Sequence, residues 1–155
     1  MPNVDPIRPT DDEGRALAQS LFRQARHGAL ATLLEGAPYV TRIALAPQSD
    51  HLLTLVSDLS THTKALRAHA EASVLIGEPG PKGDPLTHPR MTLQVRATFL
   101  DKTEDLAARY LKTHPKAQLY IGFQDFHLVR LDVAEAHLNG GFGKAYRLTP
   151  EDLAG

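Results

Sequence analysis

Apolar and polar positions along the chain change period several times, and each change marks an element. Leu17, Leu21, Phe22 and Ala25 recur at the spacing of one helix face. Thr10-Asp11-Asp12-Glu13 has the spacing of a capping box, Thr10 as N-cap and Glu13 at the third helical position. This predicts a helix to about His27, with Gly28 as its stop. Ala29 to Leu34 reads as a strand, Glu35-Gly36 as a hairpin turn, and Tyr39 to Ala46 as the partner strand. In that partner, Tyr39, Thr41, Ile43 and Leu45 alternate with Val40, Arg42, Ala44 and Ala46. Leu52 to Val56 is a short apolar run that suits a strand buried on at least one face, third in meander order. A short helix from about Thr61 to Ala70 follows, then a strand over Ala72–Gly77.

The segment Glu78 to Pro89 holds four prolines and two glycines, which forbids regular structure. A loop this long in a compact domain is usually functional or a lid. Met91 to Leu100 is the next strand, its polar face carrying Gln94 and Arg96. Asp101 to Glu104 caps a helix running to about Thr113, and His114-Pro115 breaks it. Lys116 to Phe123 reads as a further short helix, and Phe126 to Leu138 as the last long strand before a short tail. The expected fold is mainly β: six to seven antiparallel strands rolled into a small barrel with a few helices. A doubly wound sheet would need helices between most strands. Residues 1–10 form an extended Pro-rich arm and 11–155 a single domain.

Composition narrows the function classes. Net charge is −1 with histidine neutral, and no Lys/Arg block is interleaved with aromatics, so nucleic-acid binding is set aside. The absence of cysteine excludes disulfides, thiolate metal sites and thiol catalysis. Met1 to Thr10 has three prolines and no apolar run, unlike a signal peptide. No segment approaches the ~18 apolar residues of a membrane span, and a cytoplasmic protein without membrane contact is expected. None of the eight histidines forms an i, i+4 pair, so no metal site is expected. No nucleophile elbow or Walker loop is present, and no catalytic group stands out.

One stretch carries candidate chemistry. After Leu52–Val56, Ser60 or Thr61 can cap a helix whose first turn holds His62, Thr63 and Lys64 but no carboxylate. A cation there opposes the helix dipole, so a bound anion is one reading. A solvent-facing lysine on an ordinary helix start is the other. Arg42 is a guanidinium among small apolar residues, which reads first as an arginine pointing into solvent from a half-exposed sheet. Gly140-Gly141-Phe142-Gly143 reads either as a turn that pins Phe142 into the core or as close backbone approach to a planar ligand.

Taken in order, these features resemble the FMN-binding split barrel of the pyridoxamine 5′-phosphate oxidase family, and more closely its heme-utilisation (HugZ-like) branch. The resemblance rests on Ala29-Leu30-Ala31-Thr32-Leu33, on Pro38-Tyr39-Val40, and on Ser57 followed by His62-Thr63-Lys64 and Leu66. It rests further on Gly83-Asp84-Pro85-Leu86 with Pro89-Arg90, and on Ala136-His137-Leu138 running into the glycine turn. It implies that Arg42 contacts an FMN phosphate, that Val56 and Ser57 meet the flavin, and that His62, Thr63 and Lys64 lie at its phosphate. It implies too that Gln94 touches FMN and that Phe142 covers the ring. Where the oxidases carry arginine before the lysine, this chain has Thr63, and it has no tryptophan. Pyridoxamine phosphate is therefore not the expected substrate. The resemblance implies a homodimer with a small-molecule ligand at its interface. It also implies an FMN-dependent oxidoreductase or, alternatively, a non-catalytic heme- or flavin-binding module. Heme-degrading members similar to this chain often carry a further C-terminal domain, and a form without it is expected here.

Overall fold

In a computed structural model, residues 5–141 and 143–155 are described. Helix α1 spans Asp12–Gln24, one position later than the capping box predicts. Asp11 is the N-cap, its carboxylate accepting from the Gly14 N–H at 2.7 Å. Thr10 is drawn off because its hydroxyl donates to the Arg147 carbonyl at 2.7 Å, near the other end of the chain. The helix ends at Gln24, where Arg26 donates to the carbonyls of Arg23 and Ala25. Strand β2, His27–Leu34, begins at once, so Gly28 is a strand residue and not a helix stop. A side chain at Gly28 would put Cβ 2.8 Å from the Leu75 carbonyl oxygen, so close strand packing demands glycine there.

Glu35 and Gly36 both have positive φ, 51° and 79°, as a two-residue type I′ hairpin turn requires. The turn sets β3, Ala37–Ala44, in full register against β2. The chain continues through β4, Ala46–Pro47, and β5, His51–Ser57. Next come α2, Thr61–Ala68, then β6, Glu71–Ile76, and β7, Arg90–Phe99. Helix α3, Glu104–Thr113, is capped by the Thr103 hydroxyl. A 3-10 turn over Pro115–Leu119 stands where a short helix to Phe123 is predicted. Strand β8 covers Phe126–Asn139. The lysine before α3 tethers its entry: Lys102 Nζ donates to the carbonyls of Phe123 and Phe126 at 2.7 and 2.8 Å.

The meander stops after β3. Strand β5 pairs along its whole length with β8, while β2 turns its other edge to β6. Two further elements lie in the predicted tail. Strand β9, Ala145–Leu148, pairs with β8, and α4 covers Pro150–Leu153. The arm contributes β1, Ile7–Arg8, parallel to β9. The sheet runs β1-β9-β8-β7-β6-β2-β3, with β5 closing onto β8 and β4 onto β5. The fold is mainly β, as expected, with one parallel pair added by the arm. Its main core includes Phe22, Leu30, Leu45, Leu93 and Leu131, and a second core under α3 gathers Leu53, Tyr110, Ile121 and Leu128. No described helix is long and apolar enough to cross a membrane.

Candidate functional site

The turn between β5 and α2 is built around one carbonyl. The Ser57 oxygen accepts from the Thr63 hydroxyl at 2.6 Å and from the Ser60 N–H at 3.0 Å. The Ser57 hydroxyl oxygen in turn accepts from the Leu59 N–H at 3.1 Å. Thr63 is 1% exposed, so its hydroxyl is committed to the turn and its side chain does not reach outward. The resemblance expects Thr63 beside Lys64 at an anion; here its side chain latches the loop to the helix. Val56 is likewise buried, so only its backbone lies near this surface. Ser57 is half-buried and Lys64 exposed. Ser60 occupies the N-cap position but makes no side-chain cap bond, and no acidic residue stands in the first turn. His62 Nδ1 lies 3.0 Å from the Thr41 hydroxyl, joining α2 to β3. Burial pushes the His62 imidazole below its ordinary value of 6.5.

Arg42 lies elsewhere. Successive strand residues face opposite sides, so Arg42 points away from the side on which Thr41 meets His62. Its row runs Arg42, Ala29, Leu75, Thr92 across β3, β2, β6 and β7. Gln94 lies in the parallel row Val40, Ala31, Ser73, Gln94. Arg42 and Gln94 thus share the outer face but stand three strand spacings apart, ~14 Å before side chains reach out. The residues expected at one ligand divide between the α2 turn and the outer sheet face. Phe142 lies outside the described residues.

That outer face carries a groove of about 550 Å³. The register of β7 against β8 shifts at Gln94/Val95, and Ala134 is left without a partner in the ladder. Such a bulge bends the strand and redirects side chains. Ala134 joins Ala31, Ser73 and Gln94 in the groove lining, with Leu33, Pro38 and Arg96 around them. Arg96 reaches Glu71 at 3.5 Å with both side chains largely in solvent, a contact worth little. The guanidinium therefore stays available to a ligand. Leu33, Val40 and Leu75 form an exposed apolar band on the same face, 43, 62 and 46% accessible.

A charged cluster at the β5–β8 end escapes sequence reasoning altogether. His127 Nε2 lies 2.9 Å from Asp58 Oδ1, a short but bent contact that leaves the nitrogen without a well-directed acceptor. The close approach of His127, backed by the charge of Arg67, holds the Asp58 carboxyl below its usual range. Arg67 stacks over the Phe99 ring at 4.0 Å. The pairing of β5 with β8, which sets Val56 opposite His127, brings Asp58 to His127, and no local pattern signals it.

Comparison with known proteins fits this architecture. Non-canonical heme oxygenase HOZ, chloroplastic, of Arabidopsis thaliana is 32% identical over 117 residues, 72% of this chain and 35% of that protein. Heme oxygenase HutZ of Vibrio cholerae is 25% identical over 140 residues, 85% of this chain and 80% of that one. The structure of a heme binding protein from Mycobacterium smegmatis superposes with a TM-score of 0.83 at 29% identity, covering 96% of this chain and 61% of that one. The chain thus spans about a third of the plant protein and three fifths of the mycobacterial one. A putative pyridoxamine 5′-phosphate oxidase from Listeria innocua shares the fold, with a TM-score of 0.66 at 13% identity over 82% of this chain and 98% of that one. Residues 9–153 match the model of the CREG beta-barrel family. The chain therefore belongs to the CREG beta-barrel family, on the split-barrel fold that pyridoxamine 5′-phosphate oxidase-like and heme-utilisation proteins also adopt.

Proposed function

We propose that this chain binds heme on its outer sheet face. The observation that carries the reading is the groove at the bulge. A porphyrin is flat, apolar over most of its area and anionic along one edge. The groove offers small side chains at Ala31, Ser73 and Ala134 for close approach, apolar walls at Leu33 and Pro38, and the Arg96 guanidinium for a carboxylate. The relatives from Arabidopsis, Vibrio and Mycobacterium carry heme in their names, which supports the same ligand here. Among the described residues that line the groove none is a histidine, so this face would supply packing and charge to the porphyrin. We place a homodimer contact on the adjoining band of Leu33, Val40 and Leu75, because an exposed apolar strip on a sheet face favours burial against a second copy.

The test is a hemin titration followed by the Soret band, with Ala31→Phe as the groove-filling variant. Binding at micromolar hemin, weakened at least tenfold by Ala31→Phe, is the expected result. No Soret shift, or equal binding by the variant, overturns the assignment. Loss of the Soret band under a reductant and oxygen separates turnover from carriage. A second reading, an FMN-dependent oxidoreductase, keeps one specific support. The first turn of α2 bears Lys64 and no carboxylate, which suits a phosphate. Flavin absorbance retained through gel filtration, and lost in Lys64→Ala, would favour it.

A further inference from the structure

The Glu78–Pro89 segment is wound around a single imidazole. His88 Nδ1 accepts the Gly80 N–H at 2.9 Å, and His88 Nε2 lies 2.7 Å from the Lys82 carbonyl oxygen. A carbonyl only accepts, so Nε2 must carry the proton, and Nδ1 must be bare to receive the amide. One ring in one tautomer thus closes the loop twice. Around it the Asp84 carboxylate accepts from the Leu86 N–H at 2.9 Å and caps the short Pro85–Thr87 turn. Arg90 donates to the Leu86 carbonyl at 2.6 Å. Gly80 packs so closely on the ring that a Cβ there would stand 3.0 Å from His88 Cε1.

We propose that this strap is a proton-operated latch: neutral His88 holds it closed, and a proton on Nδ1 releases it. Protonation turns the acceptor into a second donor, facing the Gly80 N–H donor at 2.9 Å, so that bond is replaced by repulsion. The charged and titratable groups of the same segment are Glu78, Lys82, Asp84 and Arg90. From β2, His27 reaches Glu78 at 3.5 Å. The glycine turn beyond β8 meets the strap through Gly141, where a Cβ would stand 3.2 Å from the Thr87 carbonyl oxygen. Lys144 beyond it is engaged with Glu13 at 3.0 Å. Asp84 and Arg90 keep their own bonds to the strap backbone and Nε2 keeps the Lys82 carbonyl, so protonation releases the Gly80 end and leaves the 84–90 turn closed. The latch is independent of which ligand the barrel carries. Its released state frees the Gly80 end of the strap, which leaves β6 past Glu78, beside His27 and Arg42.

The experiment follows the Gly80 amide by hydrogen exchange and the His88 ring by NMR across pH 7.5 to 5.0, with exchange corrected for its intrinsic pH dependence. Wild-type protection at Gly80 should fall at least tenfold as the ring titrates. His88→Gln can keep both bonds, its amide oxygen accepting and its NH2 donating, and should hold protection constant over the range. His88→Phe should lack protection at every pH. Gly80 protection that stays constant while the ring titrates overturns the proposal. So does a ring that stays neutral down to pH 5.0, or a Gly80 amide equally protected in His88→Phe at neutral pH.

Discussion

Thr63→Val tests the turn most directly, because it keeps the shape of the side chain and removes only the hydroxyl proton donor. The bond it deletes is short, 2.6 Å, and 1% exposed, so water cannot replace it. The Ser57 carbonyl retains the Ser60 N–H at 3.0 Å and is not orphaned. The loss is therefore that of one buried hydrogen bond, about 1 kcal/mol. A methyl group cannot sit 2.6 Å from an oxygen, so the turn must also widen, which raises the total to roughly 1–2 kcal/mol. For a chain of this size that is a fall in Tm of roughly 2–8 °C. Calorimetry measures it, and urea unfolding should show a lower midpoint at unchanged slope. Thr63→Ser, which keeps the donor, should lose less. A Thr63→Val protein melting within 1 °C of wild type would show that the hydroxyl does not latch the loop. Thr63→Arg, which would restore the second cation of the oxidases, should fare worst, since it puts a guanidinium at a buried position.

Three other outcomes follow from the geometry. Burial lowers the folded-state value of His62, so the folded protein binds its proton less readily than the unfolded chain. Its contribution is present above pH 6.5 and lost as pH falls through the folded value, so urea midpoints should drop between pH 7 and 5, and drop less in His62→Gln. Gly28→Ala should lower stability by about 1–3 kcal/mol, because Cβ would meet the Leu75 carbonyl oxygen at 2.8 Å and Val74 at 2.9 Å; an unchanged urea midpoint would refute the tight packing. Lys102→Met should cost about 1 kcal/mol and raise proteolytic nicking near Phe123, since two carbonyls lose their ammonium partner.

Elements that depend on neighbours in the chain were legible in the sequence. Glu35-Gly36 marks its turn because two adjacent residues must take positive φ there. Thr103 caps α3 with its own hydroxyl, and the predicted limits of that helix match. Legibility fails where a distant partner decides. Thr10 and Asp11 are both able caps, and the choice falls to Asp11 because Thr10 bonds Arg147. Gly28 resembles a helix stop until β6 arrives beside it. Strands β1 and β9 are too short to show a period; β9 exists through β8, and β1 through β9. The site divides the same way. The cation-rich start of α2 was readable, but the Asp58–His127 contact and the bulge at Ala134 depend on β5 and β7 meeting β8.

The pairing of β5 with β8 also bears on how the chain reaches its native state. Between these strands lie α2, β6, β7 and α3, so the barrel cannot close until most of the chain is in place. Hairpin β2–β3 and the β6–β7 pair can form early around short or moderate loops, whereas the β5 seam must wait for a large loop to be closed. The 57–64 turn, which borrows Asp125 and His127 from the far side of that seam, is therefore among the last parts to order. Before the seam closes, β5 exposes Leu52, Leu53 and Val56, an apolar strand edge open to the wrong partner. Closing the barrel by a late seam leaves a folding intermediate prone to aggregation, and a partner or ligand that engages only the closed barrel would draw the chain past it.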